Sequence, residues 1–123
     1  MREYELTVIT KPDVPAADLS KILGRYESLM TREGGQILRK DDWGTKKLAF
    51  PIKKQFRGTY VNYDFASDPA NVSEIERLLR FDESVLRYLS VKIADTINVD
   101  QRKIDIAKEI AAAQAHQNNY DNM

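Results

Sequence analysis

From Arg2 to Ile9 the chain alternates, with Tyr4, Leu6 and Val8 on one side and Glu3, Glu5 and Thr7 on the other. A two-residue period predicts a half-buried strand. Pro12 and Pro15 punctuate the loop that follows. Leu19, Ile22, Leu23, Tyr26 and Met30 then recur at three- and four-residue steps, the stripe of an amphipathic helix. Pro15 suits its start and Gly34-Gly35 its stop. Gly24 falls inside the stripe, where glycine costs about 1 kcal/mol against alanine, so close packing on a sheet is expected there.

Residues 36–40 and 46–52 read as extended, interrupted at Asp41-Asp42-Trp43-Gly44, and a further strand runs from about Thr59 to Phe65. Lys53 to Gly58 between them reads as a hairpin tip. Asp68-Pro69 opens a second helix, an N-cap candidate followed by proline at the first helical position. Its buried stripe is Val72, Ile75 and Leu79. Leu86 to Ile93 is apolar on both alternations, which predicts a last strand covered on more than one side. Strand, helix, strand, strand, helix, strand is the split βαβ order. It predicts an α+β, ferredoxin-like βαββαβ fold: a four-stranded antiparallel sheet with two helices on one face. That domain spans residues 1–95. Residues 96–123 form an extension that is helical over 100–115, with Ile104, Ala107, Ile110 and Ala111 on one side, and then polar and disordered from Gln114 to Met123.

Composition narrows the chemistry. The 123 residues, 42% hydrophobic and 31% charged, fit one soluble domain. There is no cysteine, which removes disulfides, thiolate metal sites and cysteine nucleophiles. The single histidine, His116, lies in the polar tail, so histidine acid–base catalysis and clustered-histidine metal sites are not expected. The serines lack a core histidine to activate them, and no Gly-rich phosphate loop is present. Thr10-Lys11-Pro12-Asp13 does not resemble the anion-cradling loop of an acylphosphatase-like enzyme. Neither a signal peptide nor a membrane-spanning run is visible, which predicts a cytoplasmic protein.

Nineteen basic residues balance nineteen acidic ones, yet the charge is unevenly placed. Between Arg39 and Arg57, seven cations (Arg39, Lys40, Lys46, Lys47, Lys53, Lys54, Arg57) face only Asp41 and Asp42, a local +5. Trp43, Phe50 and Phe56 are interleaved with them. Lysines on an edge strand discourage aggregation, and the aromatics could pack on the core. The functional alternative is a nucleic-acid surface, with cations on phosphates and aromatic planes on unpaired bases. Arg57-Gly58-Thr59-Tyr60-Val61 matches only the first two positions of the RNA-recognition-motif strand, so that motif's aromatic platform is not expected. Asp41-Asp42 and Asp82-Glu83 are acidic pairs, in which metal binding is a remote reading.

Met1-Arg2-Glu3-Tyr4-Glu5, Asp42-Trp43-Gly44-Thr45-Lys46-Lys47-Leu48-Ala49-Phe50-Pro51-Ile52-Lys53-Lys54, Gly58-Thr59-Tyr60 and Arg80-Phe81-Asp82-Glu83-Ser84-Val85-Leu86-Arg87 together carry a family resemblance. From Met1 to about Ile93 the chain resembles the bacterial small-subunit ribosomal protein six family. The resemblance implies a ferredoxin-like fold without enzymatic activity or cofactor. It also implies binding to the central domain of small-subunit ribosomal RNA, as a pair with small-subunit ribosomal protein eighteen. The RNA-binding residues it suggests, read with the basic hairpin, are Arg2, Lys46, Lys47, Lys53, Lys54, Arg57, Arg87 and Lys92. Family members commonly carry two basic residues after the glycine and a tyrosine where this chain has Phe50; here Thr45 takes the first basic place. The alternative is a small-molecule-binding or regulatory ferredoxin-like module, as a monomer or a homodimer.

Overall fold

The computed structural model describes residues 1–121, with side chains to residue 115. In chain order it contains β1 (Arg2–Thr10), α1 (Ala16–Met30), β2 (Gln36–Ile52), β3 (Gln55–Ser67), α2 (Pro69–Phe81), β4 (Val85–Ala94) and α3 (Val99–Asp121). The sheet is antiparallel with strand order β2-β3-β1-β4, the ferredoxin-like arrangement. β1 and β3 are interior; β2 and β4 are the edges.

The even residues of β1 and odd residues of β3 pair as Tyr4–Phe65, Leu6–Tyr63 and Val8–Val61, all on the helix-covered face. Against them pack Ile22, Leu23, Tyr26 and Met30 of α1 and Val72, Ile75 and Leu79 of α2, as the two stripes predict. The Tyr4 and Phe65 rings stack at 5.7 Å. The Tyr26 hydroxyl donates to Asp82 Oδ2 at 2.6 Å and ties α1 to the loop after α2. Gly35 is required where the chain turns from α1 into β2, because a Cβ there would overlap the Met30 carbonyl oxygen.

Several expectations need correction. β2 is one long strand: bulges at Ile37/Arg39 and Asp42/Gly44 absorb the polar interruption without ending it. β3 begins at Gln55, so the tip shrinks to Lys53-Lys54. Gly24 is not a packing glycine, since a Cβ added to it would meet nothing within 4 Å. β4 is not covered on both sides: Val85 and Leu86 are buried, but Leu89, Val91 and Ile93 are exposed at the sheet edge. At the start of α2, Asp68 occupies the cap position but its carboxylate makes no capping bond; its carbonyl receives the Asn71 and Val72 amides instead.

α3 extends past Gln114 to Asp121, and only residues 122–123 of the expected disordered stretch lie outside the described residues. The run Ala111-Ala112-Ala113 with no Gly or Pro after it favours continued helix. Its sheet-facing side also differs from the expected one. Ile106 is buried and Ile104 half exposed, so the packed side runs through Arg102 and Ile106, not Ile104, Ala107 and Ala111. Arg102 explains the choice. Its Nε donates to both oxygens of buried Glu3, at 3.0 and 3.1 Å, and its Nη2 lies 3.6 Å from Asp64 Oδ2. Glu3 and Asp64 are on the outer sheet face, opposite α1 and α2, so α3 covers that end of the face. Burial, and then the neighbouring Glu3 carboxylate, push the Asp64 carboxyl up to about 7 against the pull of Arg102.

Gly24→Ala should raise stability by about 1 kcal/mol, read as a higher urea midpoint, because alanine gains helix propensity and meets nothing. Arg102→Ala should cost about 2–3 kcal/mol, below the 3–5 of a fully buried pair, since Arg102 is partly exposed while Glu3 is left buried and unmatched. Ending the chain at Asp95 should cost at least as much; thermal melts of both variants check it. The folded-state carboxyl of Asp64 holds its proton above its unfolded value of 3.8. The stabilisation this group contributes is therefore complete below that value and is lost as pH rises through about 7. Asp64→Asn should shrink the difference in stability between pH 5 and pH 8.

Candidate nucleic-acid interface

β2 and β3 run past the end of β1, whose last pair with β3 is Thr10–Thr59, and continue as a two-stranded hairpin. Ile52–Gln55 closes it, with Lys53 (φ 49°) and Lys54 (φ 66°) both left-handed. This is the two-residue turn for which Asn-Gly is the usual choice, and left-handed backbone costs a non-glycine residue roughly 1–2 kcal/mol. The Lys53 Nζ donates to the Val85 carbonyl at 3.1 Å and fastens the tip to the start of β4. At the hairpin root, a Cβ on Gly58 would come within 2.5 Å of Ile9 Cγ2 and 3.4 Å of Leu48 Cδ2. Glycine there lets the hairpin close onto the end of β1, with Leu48 buried.

The local charge divides into spent and free cations. Arg39 pairs with Asp41 at 2.8 Å and Lys40 with Glu27 at 2.8 Å. Lys46, Lys47, Lys54 and Arg57 take part in no ion pair among the described residues, nor does Arg87, which enters the same end of the sheet opposite Ile9. Five of the eight expected residues thus gather at the hairpin end as unmatched cations. Lys53 is there too, but its ammonium is engaged. Arg2 and Lys92 are not part of this cluster. They flank the other end of β1, roughly 25 Å away at strand rise. Both reach Asp95, Lys92 at 2.7 Å and Arg2 at 4.0 Å. The hydrogen bond from Lys92, and its charge, hold the Asp95 carboxyl below its ordinary range.

The aromatics do not pack in the core: Trp43, Phe50 and Phe56 are 44%, 58% and 67% exposed. Trp43 sits at the Asp42/Gly44 bulge, where Gly44 (φ 74°) is left-handed and its amide donates to Asp42 Oδ1 at 2.9 Å. The bulge turns the indole onto the Tyr60 ring, with centroids 6.4 Å apart and planes at 24°. Lys46 Nζ lies 5.4 Å from the Trp43 ring centre. Sequence scanning for an aromatic platform misses this pair because its members come from different strands and meet only across a bulge.

Of the two acidic pairs, Asp41, Asp42 and Asp82 are engaged within the fold. Asp41 and Asp42 hold Arg39 and the Gly44 amide. Asp82 accepts from Tyr26 and from the Ser84 amide. β2 is an edge strand, the position that the protective reading of its lysines requires. No helix among the described residues is long and apolar enough to cross a membrane.

Residues 3–92 match the family described as ribosomal protein S6. A small ribosomal subunit protein bS6 from Geobacter metallireducens is 37% identical over 115 residues, 94% of this chain and 98% of that protein. Another, from Desulfatibacillum aliphaticivorans, is 33% identical over 108 residues, 88% of this chain but 58% of that longer protein. Among solved structures, 30S ribosomal protein S6 from Thermotoga maritima superposes with a TM-score of 0.69 at 26% identity, over 92% of this chain and 97% of the other.

Proposed function

The chain belongs to the ribosomal protein S6 family, and on that premise we propose that it is a structural protein of the small ribosomal subunit whose β2–β3 hairpin binds the central domain of small-subunit ribosomal RNA, beside small-subunit ribosomal protein eighteen. One observation carries the RNA reading: Lys46, Lys47, Lys54, Arg57 and Arg87 converge on one end of the sheet without acidic partners among the described residues. Unmatched cations on a rigid two-stranded projection suit phosphate, because each phosphate contact releases a condensed counterion. The same protein carries no net charge and so lacks the long-range attraction of a strongly basic RNA binder. A few contacts of this kind give weak, salt-sensitive binding, which favours joint assembly with a second protein.

The face for that protein is the β4 edge. Leu89, Val91 and Ile93 are exposed there, on a strand whose outer backbone groups have no neighbouring strand. Apolar side chains along an unpaired strand suit a partner's strand or helix. The reading places the chain with the ribosome in the cytoplasm and assigns it no reaction and no cofactor.

Binding of a central-domain RNA fragment, measured against salt with and without protein eighteen, tests both halves. Lys47→Ala, Lys54→Ala and Arg57→Ala should each flatten the salt slope by about one. Lys53→Ala should flatten it less, since its ammonium is held by Val85. Protein eighteen should raise RNA affinity, and RNA should raise affinity for protein eighteen by the same factor. Val91→Asp should remove that increment and leave binding by the chain alone unchanged. Parental slopes in all the lysine and arginine variants would overturn the hairpin assignment; equal RNA affinity with and without the partner would overturn the pairing.

A further inference from the structure

Resting on the RNA reading and going beyond its phosphate contacts, we propose that the outer sheet face carries a seat for one unpaired RNA base, formed by the stacked Trp43–Tyr60 pair and closed by Lys46 and Arg87. Beside the hairpin lies a groove of about 310 Å³, bounded by Thr7, Ile9, Trp43, Tyr60, Arg87 and Leu89. It is at the small end of ligand-binding cavities, room for a single ring system and not for a helix. Trp43 and Tyr60 line it as an aromatic pair held at 6.4 Å and 24°, together with Ile9 and Thr7. Trp43 is 44% exposed, so an indole fixed by a bulge and a stacking neighbour keeps surface available.

Charge decides the occupant. One cation, Arg87, lines the groove, a second, Lys46, stands 5.4 Å from the Trp43 ring centre, and the lining holds no carboxylate. Neither Lys46 nor Arg87 takes part in an ion pair among the described residues. An unpaired nucleotide satisfies both halves at once: the base offers a π-face to Trp43 and Tyr60, and its phosphate meets Arg87 or Lys46. A neutral peptide side chain would fill the groove and leave both cations unmatched. The acidic part of the outer face, Glu3 and Asp64, is set apart and already covered by Arg102. The seat is therefore distinct from the region α3 occupies.

The chain has one tryptophan, so its fluorescence reports on this seat alone. Full-length protein is titrated with the central-domain RNA fragment at fixed salt, without protein eighteen. RNA binding is followed in parallel by anisotropy of an end-labelled RNA. Saturation should quench the Trp43 emission. Trp43→Leu and Tyr60→Leu should each weaken binding about five- to a hundredfold with an unchanged salt slope, the pattern of a lost stack and not a lost phosphate contact. Trp43→Phe keeps a ring and should retain most of the affinity, which separates stacking from loss of fold. Saturable RNA binding with unquenched emission and parental affinity in the leucine variants would overturn the seat while leaving the hairpin reading intact. Loss of affinity for protein eighteen in Trp43→Leu, with RNA binding unchanged, would give the groove to the protein partner and also overturn it. No RNA binding by the parent chain, alone or with protein eighteen, would sink both readings together.

Discussion

Both core helices lie on the same face of the sheet, and that asymmetry sets most of what is specific to this molecule. β1 is flanked on both sides, so each of its residues points either into the helix-covered core or onto the opposite face. Tyr4, Leu6 and Val8 take the core. Glu3, Glu5, Thr7 and Ile9 are delivered to the other side whether or not anything waits there. A buried carboxylate without a counterion is costly, so the outer face has to be treated locally. Glu3 is nearly inaccessible and is answered by Arg102 from α3. Glu5 and Thr7 share the Asn62 amide, at 3.0 and 2.8 Å. Ile9 is answered by Gly58 and Leu48 at the hairpin root and by the aromatic groove beside them.

The outer face is thereby graded along the strands. One end is acidic and covered by α3, the middle is hydrogen-bonded within itself, and the hairpin end is aromatic and ringed by free cations. The grading matters for function because it keeps opposite charges apart in a chain with no net charge. Arg2 and Lys92 lie at the acidic end and spend themselves on Asp95, whereas Lys46, Lys47, Lys54 and Arg57 of the hairpin meet no carboxylate among the described residues. A neutral protein can present a positive surface only if its acidic residues are held elsewhere, and here the strand register holds them. The same register sends Leu89, Val91 and Ile93 to the exposed side of an edge strand.

How much of this the sequence carries depends on the range of the interaction. The strand order, both helix stripes and the basic hairpin are legible because each rests on a period of two or 3.6 within one segment, or on a run of like charges. The bulges are not, because Asp41 to Gly44 reads as a polar break until pairing with Asn62 and Val61 shows that the strand continues. The face of α3 is not legible either: apolar spacing favours Ile104, while the packed side is chosen by a guanidinium that meets a carboxylate 99 positions away. Gly24 misleads in the opposite sense, since a glycine in a helix suggests a close neighbour and has none. Trp43 and Tyr60 look like separate residues until the bulge brings them together.

The strained turn gives the hairpin its working geometry. Two adjacent lysines in left-handed conformation are a local cost that Asn-Gly would avoid. That cost puts one ammonium, from Lys53, onto the Val85 carbonyl and leaves the next, from Lys54, facing outward. The first fixes the tip against β4, and the second presents charge from a fixed point. A flexible lysine must lose side-chain and loop freedom on binding phosphate, whereas a tip already fastened has less to lose. Arg87 lies two residues beyond Val85 on the strand to which the tip is fastened. The fastening therefore also sets the hairpin cations in register with the one cation of the cluster that lies outside the hairpin. On this view the backbone strain at Lys53 and Lys54 is the means by which a short, neutral protein holds a small number of charges in one arrangement.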